Sequence, residues 1–130
     1  MKLIKEIKSK KGVVHFKRWR VFSTPWFDVN IHGIYESDKD KHLHNHPWWI
    51  FTIVLWGGYR EGSGGSYVDR GFLHPSYSST DKYHIIETMK RVPTYTLAIM
   101  GKPKSDWGYR VKGKHVQHDV YRKLKREGKI

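Results

Sequence analysis

The sequence predicts an all-β fold, an antiparallel sandwich or barrel, in a single domain. Three observations point there. From Val13 onward nearly all of the chain consists of short runs that alternate apolar and polar residues, the period of a half-buried strand. Those runs are punctuated at close spacing by turn-forming stretches such as "GGYREGSGGS" and "GKPKSDWGY". The chain has 130 residues, enough to bury one core and too few for two.

The N-terminal basic segment, residues 1–12, places Leu3, Ile4 and Ile7 at helical spacing before Gly12. The pattern predicts a short helix, with a strand as its rival. Residues 13–111 form the β-barrel region. In it "VVHFKRWRVFST" alternates and stops before Pro25. "WFDVNIHGIYE" sets Phe27, Val29, Ile31 and Tyr35 on one face and Asp28, Asn30 and His32 on the other. A histidine-rich strand follows over 43–56, then the Gly/Ser turn, then short runs near 66–73, 82–89, 94–100 and 107–111. Residues 112–130 read as a basic C-terminal helix or tail, with "DVYRKLKRE" helical and Asp119 as its N-cap. No repeat, linker or low-complexity block interrupts the chain.

Charge is the extreme feature. Lys and Arg number 25 against 12 acids, a net charge of +13. Eight of these cations lie in residues 1–20 and eight in residues 110–130. Such ends suit solubility, or a phosphate-rich partner held by counterion release. There is no cysteine, which excludes disulfides, a thiolate nucleophile and a zinc ribbon. Lysines interrupt the apolar residues of "MKLIKEIKSKKG", unlike a cleavable leader. The longest apolar run, 47–56, is half the length of a membrane span. A soluble, cytoplasmic protein with no membrane partner is expected.

The stretch "DKHLHNHPWWIFTIVLWGGYRE" carries the chemistry. Residues two apart on a strand share a face, so His44 and His46 point together with backbones roughly 7 Å apart. That spacing lets two imidazoles converge on one ion at about 2.1 Å. His42 lies roughly 13 Å from His46 on the same count and is too far to join them. Pro47 predicts an irregularity just after the pair. A further ligand has to come from another strand. His84 in "DKYHIIETM" is the best candidate, with His32 and Glu87 weaker. Three neutral imidazoles leave open positions on an octahedral ion. The strand that follows is apolar on both faces, with Trp48, Ile50, Thr52 and Val54 on one and Trp49, Phe51, Ile53 and Leu55 on the other. It is therefore expected to be interior.

"HNHPWWIFTIVLWGGY" resembles the first motif of the cupin superfamily, an HxH pair with a glycine some twelve residues on. His44, His46 and Gly58 match, and Pro75 with His84 stand where the second motif has its proline and histidine. A closer resemblance, over about residues 16–110, is to small uncharacterised cupin-like proteins of bacteria and phages with an HxHPW…GGY motif. It rests on "RWRVFSTPWFDVNIH", the HxHPW…GGY run, "YHII" and the late "WGY". The resemblance implies a cupin-type jelly-roll barrel of antiparallel strands with short terminal helices. It imports no reaction. The motif's carboxylate slot falls on Ile50 or Phe51, so the remaining pattern resembles the three-histidine iron site of thiol dioxygenases. This chain lacks the crosslinking cysteine of that site and shows no clear arginine clamp. Arg60 and Arg70 are the candidates for one.

Three functions are open on this basis. In the first, His44, His46 and His84 hold one divalent transition metal (Fe, Mn, Ni or Zn) that acts, dioxygenase-like, on a small polar substrate. Trp48, Tyr59, Tyr83, Tyr95 and His32 would then line its pocket. In the second, a metal-free isomerase or epimerase uses His46 or His84 as base and Tyr59, Tyr83 or Tyr95 as acid. In the third, the cations and aromatics of "KRWR" and "YRKLKRE" bind nucleic acid or another anionic partner. Strand 47–56 would be the pairing surface of a homodimer.

Overall fold

The computed structural model describes the chain apart from residues 37–41, 64, 89–92 and 105. Eleven strands and one helix follow in order. They are β1 (Lys2–Lys8), β2 (Val14–Ser23), β3 (Phe27–Ile34), β4 (Ile50–Trp56), β5 (Tyr59–Gly62) and β6 (Tyr67–Arg70). Then come β7 (Pro75–Ser78), β8 (Ile85–Thr88), β9 (Thr94–Gly101), β10 (Gly108–Val111), β11 (Lys114–Gln117) and α1 (His118–Arg126). All the strand pairs are antiparallel. One wall is a six-stranded sheet in the order β1-β2-β3-β9-β4-β7, and the other comprises the sheet β6-β5-β8 and the hairpin β10-β11. The result is an all-β cupin barrel. Among the described residues no helix is long and apolar enough to cross a membrane.

Alternation along the strands decides what faces inward. Thr94, Thr96, Ala98 and Met100 of β9 are buried, while the residues between them are only partly covered. Ile34, Val54 and Tyr59 form the core cluster where the walls meet, with Phe16 and Ile86 packed against it. The step from β4 to β5 is a sharp turn at Gly57, where φ is +79° and a Cβ would lie 2.7 Å from Thr94 Oγ1. Glycine is required there on both counts. Thr94 Oγ1 ties the turn down by accepting from the Gly58 N–H (3.0 Å) and donating to its carbonyl (2.8 Å).

Four sequence expectations are corrected. Residues 2–8 form a strand, not a helix. Leu3 and Ile7 are four apart, a helical spacing, but β2 offers them partners at Trp19 and Phe16, with a register shift between Leu3 and Lys5. Tertiary pairing decides between the two. Asp119 does not cap α1. Gln117 does, its side chain accepting from the Asp119 and Val120 N–H groups at 3.0 and 3.2 Å, while Asp119 sits in the first turn, where a carboxylate favours the helix dipole. Finally, β4 is interior on one face only. Leu55 and Trp56 at its end are 40% and 58% exposed. Residues 114–117, expected within the C-terminal helix or tail, make β11.

Candidate metal centre

The histidine strand is not continuous. Residues 43–49 precede β4 and run along the opposite wall first, stitched between two neighbours. His44 and His84 exchange both backbone bonds, at 2.9 and 2.8 Å, and so lie directly opposite each other. On the other side the Asn45 N–H donates to the Gly108 carbonyl at 3.1 Å and the Arg110 N–H to the Leu43 carbonyl at 2.8 Å. The buried Asn45 side chain locks this arrangement. Its Nδ2 donates to the Thr80 carbonyl at 3.0 Å, and its Oδ1 accepts from the Gly108 N–H at 2.8 Å. The Asn of "HNH" is therefore the anchor that aims the histidines on either side of it.

The three imidazoles meet in one place. Ring centroids are 5.3 Å apart for His44 and His46, 4.8 Å for His44 and His84, and 5.1 Å for His46 and His84. One nitrogen from each lies within 4.8 Å of the others. The Nε2 atoms of His46 and His84 are 3.0 Å apart. Adjacent ligands of an octahedral ion at about 2.1 Å stand about √2 times that apart, roughly 3.0 Å. The donor set fits a divalent transition metal such as Fe, Mn, Ni or Zn.

Behind His84 stands a carboxylate that sequence reasoning missed. Glu61, 3% exposed, lies 2.7 Å from His84 Nδ1 and accepts from Arg70 at 2.8 Å, with the Lys82 ammonium at 3.4 Å. Burial alone would raise the Glu61 carboxyl, but the bonds from His84 and Arg70 outweigh it and hold it at about 2. An ionised Glu61 accepts a hydrogen bond from the Nδ1–H of His84, which turns the His84 Nε2 toward His46. Burial, followed by the neighbouring His84 and His44, pushes His46 well below the usual histidine range. The carboxylate absent from the cupin motif thus returns as a partner behind the histidines. Its signal was legible, since in "YREG" Glu61 shares the inward parity of Tyr59.

These groups open into a cavity of about 480 Å³ between the walls, lined also by Trp48, Tyr59 and His32. Trp48 stacks on His46 at 5.9 Å and 12° between planes. Tyr59 is buried, and burial raises its phenol above the ordinary value. His32 accepts a 3.0 Å bond from Arg18 Nε at its Nε2. Burial and the adjacent Arg18 and Lys5 cations keep its ring well below the usual range.

Other candidates fall elsewhere. Tyr83 is outside the cavity, bonded to His115 with Arg110 stacked on its ring. Tyr95 has the wrong parity. It lies on the outer face of β9 against Trp19 and Tyr35, where the two tyrosine hydroxyls are 3.2 Å apart. Glu87 is exposed and opposite Arg60 in the β5–β8 ladder. Arg60 pairs with Asp69 on the surface, and Arg70 braces Glu61, so neither is a clamp within the cavity. His42 bonds the Tyr121 hydroxyl at 2.8 Å.

No protein-family model matches the sequence, and no curated protein matches it. Solved structures do. A cupin 2 conserved barrel domain protein of Rhodopseudomonas palustris superposes with a TM-score of 0.63 at 11% identity, covering 96% of this chain and 82% of that one. A cupin-2 domain protein of Rhodospirillum rubrum gives 0.64 at 10% identity over 95% and 80% of the two chains. Fe(II)-HppE with an alternative substrate gives 0.57 at 13% identity over 75% and 55%. These likenesses establish the cupin fold.

Proposed function

We propose that His44, His46 and His84 hold one divalent transition metal and that the cavity in front of them is the active site of a metal-dependent enzyme acting on a small polar substrate. The observation that carries this is the 3.0 Å approach of two Nε2 atoms. With His84 oriented by Glu61 to present a lone pair, those atoms need a shared cation or proton between them, and the third histidine stands ready at the same point. When bound, such a metal acts as a Lewis acid and, if redox-active, supports dioxygen chemistry. The chain's own residues supply the rest. Glu61 fixes the tautomer of His84, and Trp48 holds the plane of His46 by stacking.

Iron is the metal this reading favours, because an all-imidazole set without carboxylate suits ferrous iron as well as zinc, and the similarly folded HppE is an Fe(II) protein. The metal-free isomerase is the weaker alternative. Tyr59 is the tyrosine it would use, and burial pushes that phenol toward higher values, away from an acid poised near neutrality. The test is dioxygen uptake by Fe(II)-loaded protein across a panel of small carboxylic, phosphorylated and neutral polar compounds. Uptake stimulated by some of them and abolished by His46→Ala supports the proposal. Turnover that persists in chelator and without metal assigns the isomerase instead.

A further inference from the structure

The cavity has a second charged end, which the histidines do not use. Lys5 on β1, Arg18 on β2 and His32 on β3 are successive partners across the sheet, Lys5 opposite Arg18 and Arg18 opposite His32, and all three line the cavity. Like charges directly opposite on neighbouring strands destabilise a sheet. Arg18 is half-buried and Lys5 stands at an exposed position of β1, and neither makes an ion pair with a carboxylate among the described residues. Arg122 of α1 reaches the same cavity, over the Trp107 ring at 5.8 Å. Its carboxylate, Asp119, is at 3.6 Å and well exposed. The acids that line the cavity do not answer this charge. Glu61 is committed to His84, Arg70 and Lys82, and Glu36 is exposed.

Arg18 is built to receive an anion. Its Nε is used by His32, which fixes the guanidinium plane, and among the described residues its terminal nitrogens make no hydrogen bond, which leaves them to the paired bonds that oxyanions accept. The guanidinium lies over the indole of Trp48 at 5.4 Å, and that same indole stacks on His46. One ring therefore separates the cationic end from the histidines, a gap a small molecule spans.

We infer that Lys5, Arg18 and Arg122 form an oxyanion subsite, so that the molecule presented to the histidines carries a doubly charged group, a phosphate ester or a dicarboxylate. As a statement about substrate it rests on the metal-dependent reading of the cavity. As a binding site it does not, and it can be tested without metal. Titration calorimetry on chelator-treated protein, in a buffer free of phosphate and carboxylate, uses inorganic phosphate, succinate, acetate and glycerol as probes. Phosphate or succinate is expected to saturate at one per chain, well ahead of acetate, with no binding of glycerol. Whichever of the two dianions binds more tightly identifies the class. Arg18→Gln and Arg122→Gln should each weaken that binding tenfold or more, and Tyr83→Phe, outside the cavity, should leave it within twofold. Arg122 lies on an exposed helix position, so its variant carries the test if Arg18→Gln fails to fold. Absence of a saturable dianion site, or unchanged affinity in Arg122→Gln and any folded Arg18→Gln, overturns the inference. Metal uptake without anion binding removes the subsite and leaves the metal centre. Anion binding that depends on Arg18 in a protein that takes up no metal does the reverse.

Discussion

The two ends of the cavity handle buried charge in opposite ways. At the histidine end the anchoring amide and the buried carboxylate are both partnered. Asn45 bonds two backbone groups, Glu61 accepts from His84, and Arg70 and Lys82 close the ring of charge around Glu61. At the cationic end Lys5 faces Arg18 across a strand pair with no carboxylate between them. A fold that satisfies one end so fully and leaves the other in surplus is organised for something that arrives from outside. The contrast also shows where removing a charge hurts.

The largest effect should come from the satisfied end. Glu61→Ala strands Arg70 and Lys82 and is expected to cost about 3–5 kcal/mol, the loss typical of breaking a buried pair, read by urea denaturation. Metal affinity should fall about 10–100-fold in Glu61→Gln, which keeps the shape but not the charge. A loss under 1 kcal/mol for Glu61→Ala would mean that the network contributes little.

Acid should act on the same residue. Glu61 is held at about 2, below its ordinary 4.5, so its carboxylate contributes stability fully present above pH 4.5 and lost as pH falls toward 2. Metal-free wild type should show this decline, and Glu61→Gln should be flatter over the same window. Parallel curves for the two proteins would contradict the assignment.

At the surplus end the sign reverses. Arg18→Met keeps the packing on Phe16 and Trp48 while deleting one of two opposed cations. Stability should change by no more than about 1 kcal/mol, toward greater stability. A destabilisation of 3 kcal/mol would show that the bond from Arg18 to the buried His32 outweighs the relief of like charge. The smallest effect is expected at Tyr83, which lies outside the cavity. Tyr83→Phe should shift stability by less than about 0.5 kcal/mol and leave metal content unchanged.

The same contrast marks what the sequence made legible. The barrel and the histidines are written in local periodicity: parity pairs His44 with His46, and HxHPW…GGY ties them to a known fold. His84 becomes their neighbour only through the backbone pairing of residue 44 with residue 84, a contact across 40 positions that no local pattern contains. Glu61 and Arg18 had the right parity but the wrong company. One sits in a stretch rich in turn residues, and the other in "KRWR", which reads as a solvated or nucleic-acid-binding surface until β1 and β3 flank it. Tyr83 and Tyr95 failed for the complementary reason, since an aromatic in a strand is as ready to cover the outside of a sheet as to line its inside.

Ion stoichiometry decides the central claim. Untagged protein, exposed to ferrous iron, zinc or manganese and then desalted, should retain close to one ion per chain by elemental analysis, and His46→Ala and His84→Ala should retain almost none. Wild type that keeps no metal after all three exposures, or variants that keep as much as wild type, would contradict it.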